Sequence, residues 1–121
     1  MPQNSRKVLV VDDDADLRDA VGICIAALGV DVVEARDGEE ALERLRDGTA
    51  LPSAILLDML MPRLDGRRLL AELRAEPRLA GIPVITMTGG ADPPAEPPVA
   101  SRLHKPFDVE ELARILVSLC E

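Results

Sequence analysis

Aromatic side chains are nearly missing from this 121-residue chain: it has no Trp and no Tyr, and Phe107 is its single Phe. The core must therefore be built from Val, Ile, Leu, Ala and Met, and recognition of nucleic acid by stacked aromatic rings has no support. Cysteine is scarce too. Cys24 sits inside an apolar helical pattern and Cys120 beside the C-terminus, a spacing that gives neither a disulfide framework nor a metal-ligand motif and suits a reducing cytoplasm. Positive charge falls short of negative, with 14 Lys and Arg against 22 Asp and Glu, for a net charge of −8. Such a charge repels phosphate backbones and anionic lipid surfaces, so no direct nucleic-acid or membrane contact is expected. Long apolar runs are absent as well. Val8 to Val11 runs straight into three aspartates, which is not a signal-peptide core, and nothing approaches transmembrane length.

The length predicts a single domain, residues 1–121 with a core over about 7–119, and 47% hydrophobic with 30% charged residues is near the globular average. Short apolar runs at Val8 to Val11, Val32 to Val33, Ala54 to Leu57 and Val84 to Met87, with a weaker one around Leu103, read as strands. Leu17, Val21, Cys24 and Leu28 recur at helical spacing and stop at Gly29, a natural left-handed cap. Asp37 with Glu40 forms a capping box for a second helix carrying Ala41, Leu42 and Leu45 and closed by Gly48. Asp65 opens a third with Leu69, Leu70 and Leu73 inward, ended before Pro77. Asp108 with Glu111 caps a last one carrying Leu112, Ile115, Leu116 and Leu119. Apolar strands alternating with amphipathic helices predict an α/β fold, a doubly wound parallel sheet with helices on both faces. The exception is Gly89 to Pro98, which holds four of the ten prolines and excludes a regular helix.

In a doubly wound sheet, ligands bind beyond the carboxyl ends of the strands, and the unusual polar residues fall at those ends. Asp12, Asp13 and Asp14 end the first strand, Asp58 the third, Thr88 the fourth and Lys105 the fifth. Taken singly, each has a plain structural explanation: a helix cap for Asp14, a turn for Thr88, a surface position for Lys105. Taken together, Asp12, Asp13 and Asp58 do not, because carboxylates about 4 Å apart repel by roughly 4 kcal/mol at an effective dielectric of about 20. A hard cation relieves that repulsion, and Mg²⁺ is the cation that pairs few carboxylates with water and phosphate. Asp58, closing the apolar run from Ala54 to Leu57, can attack phosphorus to give an aspartyl phosphate. The Thr88 hydroxyl and the Lys105 ammonium can meet the phosphoryl oxygens.

Four segments carry a family resemblance: Val8-Leu9-Val10-Val11-Asp12-Asp13-Asp14, Leu56 through Gly66, Val84-Ile85-Thr86-Met87-Thr88-Gly89 and Lys105-Pro106-Phe107. From about Lys7 to Leu119 the chain resembles the receiver domain of response regulators. That resemblance implies a five-stranded sheet in the order 2-1-3-4-5 and Asp58 as phosphoacceptor. It implies Mg²⁺ held directly by Asp13, with Asp12 a ligand through water or a support for one, and by Asp58 and the Leu60 carbonyl. It further implies Thr88 as the hydroxyl that shifts, Lys105 as phosphoryl partner, a cis Lys105-Pro106 peptide, and a sensor histidine kinase or phosphotransfer protein as phosphohistidine donor. The domain would catalyse its own phosphoryl transfer and hydrolysis without turning over a separate substrate.

The chain departs from the family between Thr88 and Lys105. Sixteen residues, Gly89 to His104, leave little room for a fourth helix, which is expected to be missing or replaced by a proline-rich loop. Arg102 occupies the place of the family's switch aromatic, so the usual relay is altered and the output surface is expected to shift toward the first helix and the loops around Asp58. A binding module that keeps the fold without being phosphorylated is the alternative. Asp12-x-Asp14 also resembles the opening of a haloacid-dehalogenase-type phosphatase, but after Asp65 the only adjacent acidic pair is Glu110-Glu111, inside an amphipathic helix. An EF-hand reading of Asp12-x-Asp14-x-Asp16 fails at Leu17, where glycine is required, and at Ile23, where glutamate is.

Overall fold

The computed structural model describes residues 6–47, 51–59, 66–89, 101–105 and 109–120. The described elements run β1 (Lys7–Val11), α1 (Ala15–Ala26), β2 (Asp31–Ala35), α2 (Gly38–Arg46), β3 (Ala54–Asp58), α3 (Gly66–Ala75), β4 (Val84–Gly89), β5 (Ser101–Lys105) and α4 (Val109–Cys120). Every neighbouring pair of strands is parallel, and the sheet order is β2-β1-β3-β4-β5. The expected parallel α/β architecture is therefore the one the chain forms.

Strand composition follows position in the sheet. All five residues of β3 are buried, because β1 and β4 flank it and helices cover both faces. β2, at the edge, keeps Asp31 exposed and only Ala35 fully buried. Successive side chains alternate between two cores. Leu9, Val11, Ile55, Leu57 and Val84 pack with Leu42 and Leu45 of α2 and with Leu69, Leu70 and Leu73 of α3. Val8, Val10, Ala54, Leu56, Ile85, Met87 and Leu103 pack with Val21 and Ile25 of α1 and with Leu112 and Leu116 of α4. Among the described residues both cores are aliphatic apart from the thioethers of Met59 and Met87.

α1 corrects one expectation. It stops at Ala26, so Leu28 falls in the following turn and is 39% exposed, while Cys24 is only half-buried. Ile25, one turn beyond Val21, takes the inward place. Gly29 then reverses the chain at φ 81°, as its left-handed cap role requires. The Asp37 cap accepts from the Glu40 N–H at 2.9 Å, and Glu40 returns a carboxylate to the Arg36 N–H at 2.7 Å, one residue before the position a standard capping box uses. Gly48, Asp65 and Asp108, expected to close or open helices, lie outside the described residues, as do the Lys105-Pro106 bond and residues 90–100, with positions 90–98 of the proline-rich segment expected to replace a fourth helix.

α2 is tied to the chain after α3 by Arg46, which pairs with Glu76 and, at 3.8 Å, with Glu72. Arg78 caps the end of α2 by donating to the Leu45 carbonyl at 3.2 Å. The hydrogen bond from Arg46 holds the Glu76 carboxyl below its ordinary value of 4.5 against a partial opposing effect of burial. A lowered folded-state value stabilises above the unfolded value and is lost as pH falls through the folded one. Replacing Glu76 by Gln is thus expected to lower the melting temperature slightly at neutral pH and low salt. The gap should close as pH drops below 4.5; a gap that persists in acid would show that the pair does not titrate as the geometry requires.

Thr86 sits in β4, fully buried, and among the described residues its hydroxyl has no hydrogen-bond partner. An unsatisfied buried hydroxyl costs about 1–3 kcal/mol. Thr86→Val keeps the shape and removes that cost, so denaturant unfolding is expected to show a gain of about 1 kcal/mol. A loss of stability would mean that the hydroxyl is satisfied.

Candidate functional site

β2 lies on one side of β1 and β3 on the other, so the chain reverses its winding direction between β1 and β3, and a crevice opens beyond their carboxyl ends. Asp12 and Asp13 leave β1 at this crevice, and Asp58 is the last residue of β3. One carboxylate oxygen from each of the three lies within 4.8 Å of the others. Asp12 is 0% and Asp58 5% exposed, whereas Asp13 faces solvent. The three residues expected from sequence to gather do so.

Local bonds explain how the acidic turn keeps its shape. The Asp12 N–H donates to the Ala35 carbonyl at 3.1 Å, extending the β1–β2 ladder by one residue. Its Oδ1 accepts from the Asp14 N–H at 3.0 Å. Asp14 has the role of a cap, with its carboxylate accepting from the N–H groups of Asp16 and Leu17 at 3.0 and 3.3 Å. The cluster therefore lies at the N-terminus of α1, whose dipole offsets part of the gathered negative charge. On the other side, the Met59 N–H donates to the Met87 carbonyl at 3.0 Å and carries the β3–β4 ladder one step past Asp58.

All three donors are oxygen, with no His or Cys in the group, a set that fits a hard divalent cation and disfavours zinc or copper. The Leu60 carbonyl, implied as a further ligand, lies outside the described residues. Thr88 and Lys105 are placed by their backbone alone. Thr88 pairs with His104 and Lys105 with Gly89 at the carboxyl ends of β4 and β5, and Arg102 pairs with Thr86. What the Thr88, Arg102 and Lys105 side chains touch lies outside the described part of the molecule.

Two residues near the site escaped sequence reasoning. Arg18, in the first turns of α1, donates from a terminal guanidinium nitrogen to the Asp12 carbonyl at 2.7 Å and from Nε to Glu34 at 3.1 Å. A signal existed: a cation near a helix N-terminus opposes the dipole, so it needs another partner. Gly66 begins α3 against the chain that follows Asp58, with its N–H 3.3 Å from the Met59 carbonyl. A Cβ there would come within 2.6 Å of both Cα and Sδ of Met59 and 3.1 Å of the Asp58 carbonyl.

A doubly wound α/β domain with buried acids at its switch point defines a class of site suited to a cation and a phosphoryl group. Within that class the chain belongs to the response regulator receiver domain family, whose profile matches residues 8–117. It is thus a receiver domain of two-component signalling, a domain type without separate substrate turnover. The DNA-binding dual master transcriptional regulator RpaA of Synechocystis is 36% identical over 90% of this chain, which spans 47% of RpaA. The sensor histidine kinase CheAY of Helicobacter pylori is 37% identical over 67% of the chain and 10% of the kinase. The chain thus spans less than half of these relatives. Among solved structures, a response regulator receiver protein from Pseudomonas putida aligns with a TM-score of 0.84 at 26% identity, covering 97% of this chain and 99% of that one. CheY4, a chemotaxis protein of Vibrio cholerae, aligns at 0.82 and 27% over 96% and 99%.

Gly66→Ala separates helix propensity from packing. Propensity alone favours Ala by about 1 kcal/mol. The contact with the Met59 backbone is expected to outweigh it, for a net loss of about 1–3 kcal/mol in denaturant unfolding. An unchanged or more stable variant would show that the contact relaxes at no cost.

Proposed function

We propose that this receiver domain is a phosphorylation-dependent switch whose input is Asp58. The observation that carries the reading is the gathering of Asp12, Asp13 and Asp58 at the switch point, with Asp58 buried at the end of an otherwise apolar strand. The donor is a phosphohistidine on a sensor histidine kinase or phosphotransfer protein. An Asp58 carboxylate oxygen attacks the phosphorus, the P–O bond forms as the P–N bond breaks, and the leaving imidazole nitrogen keeps the electron pair and takes up a proton. Asp12, Asp13, Asp58 and the Leu60 carbonyl would hold Mg²⁺, which when bound would neutralise charge on the transferring group. Lys105 and Thr88, at the ends of β5 and β4, receive the phosphoryl oxygens.

The phosphorylated domain then changes its binding to an effector whose chemistry this site does not specify. With Arg102 in place of an aromatic, the output surface lies toward α1 and the loops around Asp58. The net charge of −8 argues against this segment touching nucleic acid itself, and no helix among the described residues is long and apolar enough to cross a membrane. A cytoplasmic setting suits a phosphohistidine donor. A pseudo-receiver that binds partners without phosphorylation draws support only from the altered segment between Thr88 and Lys105, whereas the carboxylates it could dispense with are gathered.

Acetyl phosphate labelling tests the reading directly. The chain is expected to take up label with millimolar Mg²⁺, to lose it on adding a chelator, and to lose it in Asp58→Asn, which preserves the side-chain shape. An unlabelled wild-type chain, or an equally labelled Asp58→Asn, would overturn the assignment.

A further inference from the structure

We infer that Arg18 is a positioning residue for Asp13, acting through the backbone of the acidic turn together with Glu34. The inference deepens the reading of Asp13 as a metal ligand and rests on it for its consequence, though not for its geometry. Asp13 is the exposed member of the cluster, and none of the hydrogen bonds among the described residues engages its carboxylate. The two peptide planes that flank it set where its Cα–Cβ bond points. The plane before it carries the Asp12 carbonyl, which accepts from Arg18 at 2.7 Å. The plane after it carries the Asp14 N–H, which donates to Asp12 Oδ1 at 3.0 Å. Arg18 supplies one of the two fasteners.

Geometry and charge both suit this role. The Arg18 side chain is 17% exposed, and its planar fork reaches two acceptors at once, the Asp12 carbonyl and Glu34 on β2. The same strand receives the Asp12 N–H through Ala35, so the Asp12 peptide is referenced to β2 on both of its sides. Glu34 fixes the guanidinium through Nε at 3.1 Å and cancels its charge. An unpaired guanidinium beside the cluster would repel a divalent cation; the paired one holds the turn without that penalty. Lysine at position 18 keeps the charge but cannot span both acceptors in one plane.

The test removes the pair without changing net charge, in Arg18→Ala/Glu34→Ala, and reads two quantities. By NMR on the metal-free chain, exchange of the Asp14 amide is expected to accelerate about tenfold while β3 amides keep their protection, since loss of one fastener opens the turn locally. By calorimetry, Mg²⁺ is expected to bind about tenfold more weakly, as when a support of a ligand is lost. Arg18→Lys should fall between the two. An Asp14 amide that exchanges at the wild-type rate overturns the inference, as does wild-type Mg²⁺ affinity in the double variant. Faster Asp14 exchange in a chain whose wild type binds no Mg²⁺ would uphold the fastening and overturn the metal reading instead.

Discussion

Everything in this domain depends on keeping three carboxylates close together at the end of a parallel sheet. Each pair repels by a few kcal/mol at the effective dielectric of a partly buried site, an appreciable share of the stability of a domain this size. The two buried ones are held by strands that have no freedom to splay. β1 and β3 are hydrogen-bonded to each other and flanked by β2 and β4, and Val8 to Val11 and Ala54 to Leu57 are buried throughout. The aliphatic cores on the two faces thus do more than stabilise the fold. They turn apolar burial into a fixed separation between charges that would otherwise move apart.

Most of that arrangement was legible in the sequence because it rests on patterns with a single physical reading. An apolar run ending in an acid is a buried strand leaving the core, and two such ends, at Asp12–Asp13 and at Asp58, fall in an order that a doubly wound sheet brings together. Asp14 was legible as a cap for the same reason: a carboxylate two and three residues before free helical N–H groups has an obvious partner. Leu28 was misassigned because helical spacing does not mark where a helix stops. Gly29 ends the turn rather than the helix, and the two residues of slack swing Leu28 outward while Ile25 fills the core.

The parts that were not legible are contacts between segments far apart in sequence. Arg18 meets Glu34 sixteen residues away, across the α1–β2 connection, and no local pattern couples them. Gly66 stands in the sequence only as the last residue of a family-like segment, and docking of α3 is what shows that its missing Cβ lets the helix start against Asp58 and Met59. Both act on the backbone around the acids rather than on the acids themselves. Sequence motifs identify groups that do chemistry, and the groups that aim them follow only from the docked fold.

These same contacts constrain how a change at Asp58 can spread. The acidic turn is fastened to β2 through Ala35 and through the Arg18–Glu34 pair, and Asp12 to Asp14 moves only if those bonds break. On the α3 side there is no slack, since even one added carbon at Gly66 would meet Met59 at 2.6 Å. β4 is different. It is joined to the residue after Asp58 by the Met59 N–H to Met87 carbonyl bond, it carries a Thr86 hydroxyl without a hydrogen-bond partner among the described residues, and its partner β5 reads Ser-Arg-Leu-His-Lys with Leu103 in the core. Displacement along a packed structure follows the contacts that cost least to rearrange. The site is held tightly where it gathers charge, by β2 through Ala35 and the Arg18–Glu34 pair and by α3 through the close approach of Gly66 to Met59.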